Sequence, residues 1–120
     1  MNVKRAFEKN EIANPVWVAH DGVEALAILR GASVPTERRI LLLDLNMPRM
    51  TGIELLREIR KDPKLRTLPV VVLTTSSEAR DRTDTWDLNI ASFLVKPATF
   101  AEFVELMSAF NRYWRLVEFP

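Results

Sequence analysis

Apolar positions along the chain fall into two alternating patterns. Val16-Trp17-Val18-Ala19, Ile40-Leu41-Leu42-Leu43, Val70-Val71-Val72-Leu73 and Phe93-Leu94-Val95 are short and continuously apolar. Unbroken apolarity of that length predicts strands covered on both faces of a parallel sheet. The stretches between them carry helical spacing. It falls on Val23, Leu26, Ala27 and Leu29 within 23–30, and on Ile53, Leu56 and Ile59 within 53–60. A polar, weaker helix is expected over 77–88, the longest and most apolar over 100–117, and a short helical piece over 3–10. Three helices open on an acceptor side chain followed three residues later by Glu: Asp21-Gly22-Val23-Glu24, Thr51-Gly52-Ile53-Glu54 and Thr99-Phe100-Ala101-Glu102. Each is a capping-box pattern, able to satisfy two orphan amides of a first turn.

The order is a helical piece, then strand and helix four times. Such alternation implies a single α/β domain over 1–120, doubly wound with right-handed crossovers. In that class ligands bind beyond the C-terminal ends of the strands. Those ends carry Asp21, Asp44-Leu45-Asn46, Thr74-Thr75 and Lys96-Pro97. Four polar tips on four apolar strands are the constellation to explain.

Composition narrows what the tips can do. With 120 residues there is room for one domain only. Lys plus Arg total 17 against 16 Asp plus Glu, and the net charge of +1 gives no footprint for nucleic acid or an anionic membrane. The absence of cysteine removes disulfides, thiol catalysis and Cys-ligated zinc, and His20 alone cannot build a His-rich metal site. The longest apolar runs are far too short to cross a bilayer. Met1-Asn2-Val3-Lys4-Arg5 is not a signal peptide, so a cytoplasmic location is expected.

A carboxylate at the end of a rigid strand can ligate a hard metal or attack phosphorus. Thr74 adds a hydroxyl, and Lys96 a cation able to neutralise a phosphoryl oxygen. Together they suit phosphoryl transfer, in which positioning and charge neutralisation provide most of the catalysis. Taken singly, each has a plainer role: Asp44 and Thr74 as turn residues, Lys96 as a solvated charge, Asp21 as a helix N-cap, His20 as a strand-end residue. Trp86, Phe110 and Trp114 read as packing residues.

Four segments carry a resemblance to a known family. Leu42-Leu43-Asp44-Leu45-Asn46-Met47-Pro48-Arg49-Met50-Thr51-Gly52 resembles the phosphoacceptor segment of response-regulator receiver domains, the CheY-like modules of two-component phosphorelay signalling. Pro69-Val70-Val71-Val72-Leu73-Thr74 is similar to the strand that ends in the family's Ser or Thr. Ala91-Ser92-Phe93-Leu94-Val95-Lys96-Pro97 is similar to its Lys-Pro strand, and Ala19-His20-Asp21-Gly22-Val23-Glu24-Ala25-Leu26 to its "DGxEAL" segment. The likeness runs from about residue 3 onward.

The resemblance implies a flavodoxin-like fold and a role for each tip. Asp44 would accept a phosphoryl group from a histidine kinase and, with the Asn46 backbone carbonyl, hold Mg²⁺. Thr74 and Lys96 would contact the phosphoryl group, and Phe93 would act with Thr74 as the aromatic switch. Gly52 would close the acceptor loop, and Pro97 would follow a cis bond. Signalling would pass through Phe93 and the last two helices, which are the fourth helix, fifth strand and fifth helix of the family fold. Thr74-Thr75-Ser76 and Tyr113-Trp114 point toward a phytochrome-like kinase.

Receivers also begin with a strand ending in an acidic pair that holds Mg²⁺, and neither is found here. A truncated receiver with four strands per chain is therefore expected, its Mg²⁺ weak or absent and its phosphorylation impaired. Four or five missing buried aliphatics represent roughly 6–15 kcal/mol, comparable with the whole stability of a domain, about 5–15 kcal/mol. The gap is expected to be closed by a strand rearranged to the order 2-3-4-5, with Asp21 as a substitute metal ligand, or by a second chain in a homodimer. Two other readings remain at this point. One is a non-phosphorylatable receiver-like interaction module. The other, poorer, is a haloacid-dehalogenase-type phosphatase, which needs a second Asp where Asn46 stands; otherwise no enzymatic activity is expected.

Overall fold

All five expected helices are found among the described residues, and the three that open on a capping pattern begin directly after its first residue. The computed structural model describes residues 2–31, 35, 37–45, 49–75 and 79–116. In chain order the elements are α1 (Val3–Lys9), α2 (Gly22–Arg30), β1 (Leu41–Leu43), α3 (Gly52–Lys61), β2 (Val70–Thr74), α4 (Ala79–Trp86), β3 (Ser92–Val95) and α5 (Phe100–Trp114). Asp21, Thr51 and Thr99 are the N-caps of α2, α3 and α5, their side chains accepting the backbone N–H of Glu24, Glu54 and Glu102. The reciprocal half of the capping box takes another form. The Glu24 carboxylate accepts the N–H of His20 (3.4 Å), and the Thr51 hydroxyl donates to the Glu54 carboxylate (3.1 Å).

The described residues form two compact units, one of 18–95 and one of 2–17 with 96–116. The first contains the sheet, β1-β2-β3, parallel throughout. Leu43 faces Val72, and Thr74 faces Val95. Parallel neighbours need long crossovers, which α3 and α4 provide. Leu43, Val70 and Val72 pack with Ala25, Leu26, Leu55, Leu56 and Ile59 in one buried cluster, so the apolar faces of α2 and α3 close over one side of the sheet. In the last turn of α3, Arg60 supplies a polar anchor. Its guanidinium donates to four backbone carbonyls, those of Leu88 (2.7 Å), Arg66 (2.9 Å), Leu68 (2.9 Å) and Asn89 (3.0 Å).

In the second unit α1 packs along α5. The Asn10 side chain donates to the Val104 carbonyl (2.8 Å), and the Arg5 guanidinium lies 5.0 Å from the centre of the Phe100 ring. Phe110, Tyr113 and Trp114 meet edge to face at the far end of α5.

Three strands rather than four are found among the described residues. Residues 16–19 form no strand, and the rearranged order 2-3-4-5 does not occur. Apolar sequence favours an extended backbone, but a strand exists only where a neighbour completes its ladder, and no described strand pairs with this segment. Trp17 and Val18 are accordingly about half exposed, at 52% and 49%. No described helix is long and apolar enough to cross a membrane.

Candidate functional site

β1 and β2 run side by side in the same direction, so their C-terminal ends emerge together. Asp44 follows the buried Leu43 and is half-buried, while Thr74, the last residue of β2, is completely buried. The Thr74 hydroxyl donates to Asp44 Oδ1 at 3.2 Å. A threonine this deep needs a partner for its hydroxyl, and the carboxylate supplies it. Residues 30 positions apart thus form one polar pair at the sheet end.

The connection from Asp44 to α3 closes on itself. The Gly52 N–H donates to the Leu45 carbonyl (3.1 Å). A Cβ on Gly52 would lie 2.6 Å from both the Asp44 carbonyl oxygen and the Leu45 Cα, so only glycine permits this approach. α2 presses on the same loop, since a Cβ on Gly22 would lie 2.7 Å from the Met50 Cβ. Between these contacts Arg49 takes a left-handed backbone, φ 64°. Its Nε donates to Asp21 Oδ2 at 2.9 Å, and Nη2 donates to the same oxygen. Asp21 Oδ1 meanwhile accepts the Glu24 N–H at 2.8 Å. The Glu24 amide first, and the Arg49 hydrogen bonds second, hold the Asp21 carboxyl below the usual carboxylate range.

Of the expected site residues, the structure brings Asp44, Thr74 and Gly52 together. Phe93 lies on β3 opposite Val72, half-buried against the core cluster. Lys96 directly follows Val95, one residue beyond β3, and belongs to the second unit. Asn46 lies outside the described residues. The Lys96–Pro97 bond is trans, which corrects the cis bond implied by the Lys-Pro motif. A tertiary amide separates the isomers by only about 0.5–1 kcal/mol, so the motif does not fix one of them. Arg49 escaped sequence reading because it fills an unspecified position of the motif and its partner lies 28 residues away.

Among the described residues no three His, Cys, Asp or Glu side chains gather. Asp21, the expected substitute ligand, instead uses one oxygen for its cap and the other for Arg49.

A carboxylate and a buried hydroxyl paired at the end of a parallel α/β sheet define a class. The response regulator receiver domain family matches residues 1–108, and the chain belongs to that family. It is 35% identical over 119 residues to the probable methanogenesis regulatory protein FilR2 of Methanothrix harundinacea, covering 95% of this chain and 75% of that protein. Rcp1 of a Synechocystis species is 30% identical over 115 residues, covering 93% and 78% of the two chains. A Mn²⁺-bound Rcp1 structure superposes with a TM-score of 0.83 at 28% identity, covering 98% of this chain and 91% of that one. The phosphorylated cyanobacterial phytochrome response regulator RcpA superposes with a TM-score of 0.87 at 32% identity, over 98% of this chain and 87% of that one.

Proposed function

We propose that this chain accepts a phosphoryl group on Asp44 from the phosphohistidine of a histidine kinase. An Asp44 carboxylate oxygen forms the new bond to phosphorus as the phosphorus–nitrogen bond breaks. The imidazole departs with that electron pair, leaving an aspartyl phosphate. The observation that carries this reading is the hydrogen bond from the buried Thr74 hydroxyl to Asp44 Oδ1. A donor already aimed at the acceptor oxygen needs little movement to follow a phosphoryl oxygen once one arrives. The added group brings roughly 1.5 to 2 negative charges, which draws the Thr74 hydroxyl and frees Phe93 to change rotamer. Lys96 enters on the strength of the Lys-Pro motif, as the cation that neutralises the phosphoryl group.

A phytochrome-type kinase as donor is supported by the likeness to RcpA and Rcp1. Because Asp21 is committed to Arg49, transfer from small phosphodonors is expected to be slow and Mg²⁺ binding weak. The test is to incubate wild type and Asp44→Asn with a phosphorylated histidine kinase or acetyl phosphate and weigh the intact chains. Wild type alone should gain one phosphoryl group. No adduct from any donor would leave a receiver-like interaction module as the remaining reading.

A further inference from the structure

The ion pair of Asp21 and Arg49 ties the start of α2 to the acceptor loop, and its two ends differ in character. The Asp21 side chain is nearly buried, 10% exposed, and fixed to the first turn of α2 by its cap. The Arg49 side chain is 63% exposed and belongs to the loop that starts at Asp44. A non-glycine residue with positive φ is strained, and persists only where its surroundings hold it. For Arg49 the available restraint is the pair of hydrogen bonds to Asp21 Oδ2. The same loop is stapled at its far end by the Gly52 N–H on the Leu45 carbonyl, the residue next to the acceptor. Opening the ion pair therefore releases strain into a loop with Asp44 at its root.

We propose that the Asp21–Arg49 pair is a latch on the acceptor loop, and that Arg49 is a positioning residue that sets how fast Asp44 is phosphorylated. This rests on the reading of Asp44 as the acceptor, though the latch itself has a signature independent of phosphorylation. With the latch closed, Asp44 is held where the Thr74 hydroxyl meets it. With the latch open, Arg49 leaves the left-handed region and the backbone of residues 49–52 loosens. An exposed guanidinium on a carboxylate is screened by salt, so ionic strength weakens the latch without touching the core.

The test compares wild type with Asp21→Asn, Arg49→Gln, Arg49→Gly and the Asp21→Asn/Arg49→Gln double variant. Asn caps a helix as well as Asp, so Asp21→Asn removes the ion pair while α2 keeps its start. Arg49→Gly relieves the strained φ but leaves Asp21 without its guanidinium, separating backbone from charge. Hydrogen exchange at the amides of residues 49–52 should be roughly tenfold faster than wild type in every single variant, as loss of a charged hydrogen bond implies, and equally fast, with no further gain, in the double variant. Exchange in β2 should not change. Phosphoryl labelling should slow in step, and its difference between wild type and Arg49→Gln should shrink at high salt. Unchanged exchange overturns the latch, whatever the labelling does. Faster exchange with unaltered labelling of a wild type that does label overturns the positioning role. A wild type that takes no phosphoryl group while exchange responds overturns the acceptor reading and leaves the loop clamp standing.

Discussion

At Gly52 a single hydrogen atom in place of a methyl decides where Asp44 stands. Both atoms that a Cβ would strike, at 2.6 Å, are backbone, so no side-chain rotation can relieve the clash. Gly52→Ala should cost about 1–3 kcal/mol by overpacking and slow the labelling of Asp44 more than a surface change of equal cost. Urea unfolding and intact mass measure the two effects. Asp21 sets a pH window. Its folded carboxyl titrates below the ordinary value of 3.8, lowered first by the Glu24 amide and then by Arg49. Its contribution is therefore full above that ordinary value and lost as pH falls through the lower, folded one. The wild-type urea midpoint should hold down to about pH 4 and then drop. Asp21→Asn should start lower and show a shallower fall. Asp62 is lowered by the Lys64 amide first and by Arg30, so it contributes a similar loss that Asp21→Asn leaves in place.

At the scale of elements, much was legible because the signals are local. Thr51 and Thr99 announce their helices within four residues, and apolar runs of three or four mark β1, β2 and β3. What could not be read depends on partners distant in sequence. Residues 16–19 have the composition of a strand but no described neighbour to pair with. Arg60 carries no motif, yet it ties the end of α3 to the segments leading into β2 and β3. Burial of its guanidinium lowers its pKa, so the four carbonyl partners answer donors that have lost water. Arg60→Leu should destabilise the fold by about 2–3 kcal/mol through these orphaned carbonyls. Arg60→Lys should recover only part, since one ammonium cannot reproduce the planar fork. Chemical denaturation with unchanged m-values would check both. Equal stability of wild type and Arg60→Leu would show that the anchor contributes nothing.

For the whole molecule, the motifs and the family match agree over nearly all of the chain, and the Thr74–Asp44 pair joins them to a physical site. Lys96 belongs to the second unit, and its part in the chemistry stands on its motif. Trp17 and Val18 expose apolar surface on a segment with no ladder partner among the described residues. Such segments invite pairing with another chain, and a homodimer is expected. Sedimentation over a range of concentrations should show dimers that Trp17→Glu weakens, and a monomer throughout would contradict this.

The most direct test of the function is to trap the acceptor chemically. The chain is phosphorylated by a histidine kinase, reduced with borohydride, which converts an aspartyl phosphate to homoserine, and digested for peptide mapping. Homoserine at position 44 and at no other aspartate is the expected result. Homoserine elsewhere, or none despite an active kinase that labels another receiver, would contradict the assignment of Asp44.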